Sequence, residues 1–117
     1  MLNFPSSVRV FLCLIPADMR RSFDALAMMA EHVVRQDPFS GHLFVFVNRF
    51  GDRLKLLYWD RDGYAIWYKR LEEGSFQVPR VKGDGGVEIP MSDLMMMLQG
   101  VDLASAKKRK RYSRPEQ

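Results

Sequence analysis

This sequence has little of what most chemical sites are built from: one cysteine, Cys13, and two histidines, His32 and His42, among 117 residues. A single cysteine excludes an intrachain disulfide and argues against a zinc site built on cysteines. We therefore interpret Cys13 as a small packing residue and both histidines as ordinary polar residues. The sequence predicts no catalytic residue, no metal site and no cofactor.

Long hydrophobic runs are also missing. No apolar stretch approaches the ~20 residues that a membrane-spanning helix needs. The N-terminal stretch MLNFPSSVRVFLCLIP has no basic region before its short apolar run, so it does not resemble a signal peptide. We expect a cytoplasmic protein, and a length of 117 residues with 47% hydrophobic residues is typical of one globular domain.

Positive charge is concentrated at the C-terminus. Residues 104–117 carry six basic side chains and one acidic one, a net charge of +5, whereas the other 103 residues hold twelve basic and thirteen acidic side chains, a net charge of −1. Six phosphate contacts on duplex DNA would release about five counterions, so binding through this tail should weaken steeply with salt. A solubilising terminus with no dedicated role is the alternative. The candidate phosphate-binding residues here are Lys107, Lys108, Arg109, Lys110, Arg111 and Arg114.

The first third of the chain changes from a strand pattern to a helix pattern. Residues 8–14 alternate in the period-two spacing that predicts a strand. After Pro16, Asp18 is suited to cap a helix, and apolar residues three and four positions apart then predict one long helix to about Arg35.

Residues 42–70 predict an antiparallel β-meander. β-Branched and aromatic residues dominate HLFVFVN, RLKLLYW and YAIWYKR, and clusters containing Gly and Asp separate these runs. Phe50-Gly51 and residues 60–63 are the two predicted turns.

The remainder predicts short elements. Residues 75–78 and 87–89 are candidate strands, and a helix beginning at Pro90 or Ser92 should end at Gly100. The predicted fold is therefore a single α+β domain over residues 1–103. It contains a strand, a long helix, the β-meander and a short C-terminal helix, and a disordered basic tail follows over residues 104–117.

Counting outwards from the two turns divides the meander into two faces. The first face carries mostly aliphatic side chains, and we expect it to lie under the long helix: Leu43, Val45, Val47, Leu54, Leu56, Tyr58, Ala65 and Trp67. The second face mixes aromatic and basic side chains: His42, Phe44, Phe46, Asn48, Arg53, Lys55, Leu57, Trp59, Tyr64, Ile66 and Tyr68.

Three interpretations of the second face stay open. The short C-terminal helix or the first strand covers it, with Lys55 extending its ammonium group from the edge. A protein partner, including a second copy of the chain, packs on it. Single-stranded nucleic acid stacks on its aromatic rings while Arg53 and Lys55 hold phosphates. The candidate partner residues on this face are Phe44, Phe46, Trp59, Tyr64 and Tyr68.

Two smaller groups have weaker chemical signals. Asp60 and Asp62 are paired carboxylates, but an adjacent Gly63 is what a tight turn requires, and the spacing of a calcium-binding EF-hand loop is missing. Arg20 and Arg21 fall in the first predicted helical turn, where cations oppose the helix dipole, which makes them candidate phosphate contacts.

Two blocks of the sequence carry a family resemblance: PADMRRSFDALAMMAEHVV, and DPFSGHLFVFVNRFGDRLKLLYWDRDGYAIWYKRLEEGSFQVP. They closely resemble the small TnpB-type accessory protein, encoded by the second reading frame, of the bacterial insertion-sequence family sixty-six. The markers of the first block are Pro16, Asp18, Met19, Arg20, Phe23 and Asp24. Those of the second are Asp37, Pro38, Gly41, Phe44, Phe46, Gly51, Asp52, Lys55, Tyr58, Trp59, Asp60, Gly63, Trp67, Lys69 and Leu71.

The resemblance implies a mobile-element protein that assists a separate, larger transposase carrying the catalytic acids. It implies a non-enzymatic accessory factor for DNA transposition that binds element DNA, the transposase, or both. A homodimeric interaction module with an incidental basic tail is the alternative. Nothing in the resemblance extends to residues 104–117.

Overall fold

Five strands and two short helices make up the part of the chain that the structure describes, residues 4–100 of a computed structural model. The elements in chain order are β1 (Val10–Cys13), α1 (Phe23–Met29), a π-helical segment (Ala30–Val34), β2 (Leu43–Val47), β3 (Arg53–Asp60), β4 (Gly63–Arg70), β5 (Gly86–Ile89) and α2 (Met91–Gln99). The predicted domain boundary at 103 and the predicted basic tail lie outside the described residues.

All five strands join one mixed sheet in the order β4-β3-β2-β1-β5. β1 and β2 are parallel, and every other neighbouring pair is antiparallel. The registers of β2–β3 and β3–β4 are those predicted by counting outwards from the turns. Val47 pairs with Leu54, and Asp60 pairs with Gly63.

The predicted fold, with a long helix beside a separate antiparallel meander, is wrong. The structure is mainly a five-stranded mixed sheet, because β1 enters the sheet parallel to β2 and β5 then pairs with the free edge of β1. Parallel neighbours need a crossover connection, and the helical segment between β1 and β2 provides it. Periodicity along the chain identifies a strand, but it does not identify that strand's partners.

The predicted start and length of the long helix are also wrong. Helix α1 begins at Phe23, not after Asp18, and spans only seven residues before the π-helical segment. The chain from Pro16 is held as a loop because the Ala17 N–H donates to the Val47 carbonyl at 2.9 Å, at the end of β2. The Asp18 side chain accepts from the Arg20 N–H at 2.9 Å, within this loop instead of capping a helix.

The covers of the two sheet faces are exchanged relative to the prediction. Helix α1 and the π-helical segment pack on the second face, while α2 packs on the first face. Crossovers between parallel neighbours are almost always right-handed, so handedness selects the face on which the connecting helix lies. The amino-acid composition of the two faces does not determine which helix covers which face.

Residues 75–78 form no strand in the described chain, contrary to the prediction. Instead Phe76, only 4% exposed, inserts into the core of the first face, and its N–H donates to the Gly51 carbonyl at 2.8 Å. The C-terminal helix ends as predicted, since Gly100 adopts a left-handed conformation with φ 84°. Neither helix of the described residues has the length and apolar character needed to cross a membrane.

Candidate nucleic-acid interface

The loop after β1 and the loop between β2 and β3 meet at one corner of the sheet. They form an open cleft of about 660 Å³, which we call the corner cleft. Its lining residues are Pro16, Ala17, Asp18, Met19, Arg20, Asn48, Arg49, Phe50, Asp52 and Arg53. Two segments about 30 residues apart in sequence therefore supply one surface.

The β2–β3 loop is held rigid by the side chain of Asn48. Its Oδ1 accepts from the Arg53 N–H at 3.0 Å, and its Nδ2 donates to Asp52 Oδ1 at 2.7 Å. Gly51 completes the turn with φ 76°, a conformation that favours glycine. The tip of this loop consequently projects Arg49 and Phe50 outwards, and Phe50 is 84% exposed.

Lys55 lies beneath the cleft and not on its surface. The side chain is only 7% exposed, and Nζ donates to the Met19 and Arg21 carbonyls at 2.8 and 2.7 Å. Nζ also lies 4.8 Å from the centroid of the Tyr68 ring, within the range of a cation–π contact. The ammonium group thus ties β3 to the loop that forms one wall of the cleft.

The two carboxylates of the cleft are already engaged. Asp18 forms a bidentate pair with the Arg20 guanidinium, and Asp52 accepts from Asn48. Within residues 4–100, no carboxylate lies within 4.0 Å of the Arg49 or Arg53 guanidinium. Arg53 Nη1 donates to the Tyr68 hydroxyl at 3.3 Å. Both arginines therefore keep a charge that an anion can neutralise.

The Asp18–Arg20 pair gives the first testable prediction. Hydrogen bonds from the Arg20 guanidinium and then from its backbone N–H lower the pKa of Asp18 to about 2. A carboxylate with a lowered pKa stabilises the folded chain above its unfolded pKa of 3.8, and this stabilisation is lost as the pH falls towards 2. Replacing Arg20→Gln should raise the pKa of Asp18 towards 3.8 in a carboxyl NMR titration. Replacing Arg61→Gln, in the β3–β4 turn, should leave it unchanged, and a low Asp18 pKa that survives Arg20→Gln would contradict the pairing.

The structure brings four sequence-predicted phosphate contacts to this corner: Arg20, Arg21, Arg53 and Lys55. Sequence reasoning missed Arg49 and Phe50 as site residues. Phe50 was interpreted only as a turn residue, and Arg49 only as a possible ion-pair partner of Asp52, a pair that the described residues do not form. The available signal was an aromatic side chain at a hairpin tip, where turn chemistry requires none. The tail candidates, residues 107–111 and Arg114, lie outside the described residues.

The predicted partner residues do not form one surface. Phe44 and Phe46 are fully buried under α1, and Tyr68 lies beside Lys55. Trp59 and Tyr64 pack together with Phe39, their ring centroids 5.0 to 5.6 Å apart. Burial, and then the nearby carboxylates of Asp37, Asp24 and Glu31, raise the pKa of Tyr64.

The remaining chemical candidates have structural roles here. Asp60 and Asp62 flank Arg61, whose φ of 57° makes the tight β3–β4 turn. His42 Nδ1 accepts from the Arg9 N–H at 2.9 Å. Cys13 is buried, and burial raises the pKa of its thiol. Across residues 4–100 there is no group of three or more His, Cys, Asp or Glu side chains arranged to hold a metal ion.

Comparison with known proteins identifies similar sequences that extend over most of this chain. A family model described as IS66 Orf2 like protein matches residues 8–108. The uncharacterized protein y4hO of Sinorhizobium fredii is 36% identical over 102 residues, covering 87% of this chain and 88% of that protein. The uncharacterized protein y4jC of the same organism is 32% identical over 115 residues, covering 98% and 97%. No solved structure matches.

Proposed function

Because this chain belongs to the IS66 Orf2-like family of transposition accessory proteins, we propose that it assists transposition by binding the DNA of its insertion sequence at the corner cleft. In this proposal the separate transposase catalyses strand transfer, and this chain acts as a non-enzymatic factor. Binding to the transposase alone is the alternative, and the experiment below distinguishes the two.

The observation that carries this proposal is the exposed Arg49–Phe50 tip beside Arg53. The two guanidinium groups have no carboxylate partner in the described chain, so phosphate oxygens are suitable ligands. An aromatic ring that is 84% exposed between cations suits stacking on an unpaired base. Such a ring would act where the DNA strands are separated and a base is free to stack.

The basic tail is proposed as a second, sequence-independent contact. Its six cations would attract the DNA backbone and raise the association rate. The corner cleft would then position the DNA through fewer, better-held groups. The tail and the corner cleft contribute different numbers of positive charges to DNA binding. The salt dependence of the affinity can therefore distinguish their contributions.

The test is a titration of full-length protein with element-end DNA between about 50 and 200 mM salt. The slope of log affinity against log salt should fall by about two for Arg49→Gln with Arg53→Gln, and by up to about five when all six tail cations become Gln. Phe50→Ala should leave the slope unchanged but weaken binding to single-stranded DNA roughly tenfold.

Arg61→Gln is the matched control, because Arg61 lies in the turn at the far end of β3. It should change neither slope nor affinity. Equal binding by the wild type and the Arg49/Arg53 variant would refute the corner cleft. No binding by the wild type at about 50 mM salt would refute DNA binding altogether and leave the transposase as the partner to pursue.

A further inference from the structure

The outer edge of β4 is long and regular, and no element of residues 4–100 pairs with it. Its eight residues keep one continuous antiparallel register with β3, without a bulge. The strand has no proline, and residues 64–68 carry no charge. Proteins ordinarily protect a sheet edge by shortening, bending or charging it, so an edge of this kind is a ready template for another strand.

The opposite edge of the sheet differs in each respect. Strand β5 has only four residues, and two of them are Gly86 and Glu88. Arg9 pairs with Glu88, which adds charge beside this edge. A short, charged edge offers little to an added strand. Of the two edges, only β4 is suited to pairing.

The backbone groups available on β4 follow from its pairing with β3. The Leu71 N–H donates to the Asp52 carbonyl at 2.7 Å, in the same register as the strands. Odd-numbered residues of β4 therefore direct their N–H and C=O groups to β3, because these groups alternate along a strand. The even-numbered residues Tyr64, Ile66, Tyr68 and Arg70 direct theirs outwards.

The side chains of β4 are complementary to those of a second, antiparallel copy. Consider a two-fold axis that places Ile66 opposite Ile66 of the second copy. Even-numbered residues of one strand then lie opposite even-numbered residues of the other, so their outward N–H and C=O groups can bond to each other. Each face of the first sheet continues as the same face of the second. Tyr64 then lies opposite Tyr68 of the second copy, and Ala65 lies opposite Trp67. Just before β4, Asp62 of the turn lies opposite Arg70, which also pairs with Glu72 of its own chain at 2.8 Å. No like charges face each other along residues 63–70.

From this match we propose that the chain forms a two-fold dimer in which β4 of one copy pairs antiparallel with β4 of a second copy, joining two sheets into one of ten strands. The interaction is β-strand addition, with the register centred on Ile66. It is independent of DNA binding. Because each corner cleft lies at the Arg70 end of β4, the dimer carries two clefts at opposite ends of the joined strands.

Charge exchange tests the register on the full chain. Asp62→Arg or Arg70→Glu alone places like charges opposite each other twice per dimer, and each should raise the dimer dissociation constant roughly tenfold in sedimentation equilibrium. The double variant Asp62→Arg with Arg70→Glu should restore it. Lys69→Glu is the matched control, because Lys69 is equally exposed and lies opposite Gly63 of the second copy.

A cysteine at the two-fold axis tests the same register covalently. In a Cys13→Ala background, Ile66→Cys should form a disulfide-linked dimer under mild oxidation. Opposed hydrogen-bonded residues have Cα atoms about 5.5 Å apart, within disulfide range. Tyr68→Cys should not cross-link, because its symmetry mate lies about 13 Å away along the strand.

A wild-type chain of monomer mass at every concentration overturns the proposal. A dimer dissociation constant that neither Asp62→Arg nor Arg70→Glu changes also overturns it. The same holds if Lys69→Glu raises that constant as much as the two charge variants do. Failure of these arms leaves the DNA titration interpretable, since neither Asp62 nor Arg70 lines the corner cleft.

Discussion

Replacing Phe44 by alanine is expected to cost about 3–5 kcal/mol of unfolding free energy, enough to unfold much of a small domain. The Phe44 side chain is fully buried in the centre of the second face, where its ring stacks on Phe11 with centroids 5.8 Å apart. Leu26 and Ala30 cover it from the helical side. Its removal leaves a cavity between the sheet and α1. Urea denaturation followed by circular dichroism measures the change.

Phe50→Ala is the matched control for this substitution. It deletes the same ring from a site that is 84% exposed, so the unfolding free energy should change by less than about 0.5 kcal/mol. A Phe44→Ala protein within about 1 kcal/mol of wild type would show that the second face is not a packed core. The same result would reopen Phe44 as a partner contact.

Replacing Lys55 by methionine is expected to cost about 2–3 kcal/mol. Methionine retains the apolar stem but removes the ammonium group, so the Met19 and Arg21 carbonyls lose their donor. The loop at residues 16–22 should then exchange its amide hydrogens faster, and DNA affinity at the corner cleft should fall through loss of loop order. Denaturation and hydrogen exchange on the same samples measure both effects.

Lys69→Met provides the control, because Lys69 is exposed on the neighbouring strand opposite Leu54. Its unfolding free energy should stay within about 0.5 kcal/mol of wild type. The outcome that would contradict the role of Lys55 is unchanged stability together with a salt slope lowered by about one. That combination would identify Lys55 as a direct phosphate contact.

Much of the strand pairing was predictable from residues close together in sequence. Two-residue turns at Phe50-Gly51 and Arg61-Asp62 dictate which residues oppose each other, and the structure confirms both registers. The helix end at Gly100 was equally local, because it depends on the backbone freedom of one residue.

The helices and the site were less predictable because they depend on distant contacts. Helix α1 starts late since the end of β2 binds the Ala17 N–H, an interaction across 30 residues. Lys55 has the composition of a phosphate contact, yet two carbonyls from the loop before α1 take up its ammonium group. No pattern along β3 signals either event.

The sequence by itself determined the strands of the meander, their turns, the two alternating faces and the family, because each depends on local conformational preference or on ordered residue matches. The tertiary structure decided which helix covers which face, because the hand of the β1–β2 crossover sets it. It also decided that Arg20 and Arg49 share a cleft and that no strand of residues 4–100 pairs with the outer edge of β4. Those outcomes depend on contacts between elements that are far apart in the sequence. Local sequence patterns do not show which distant elements will pack together.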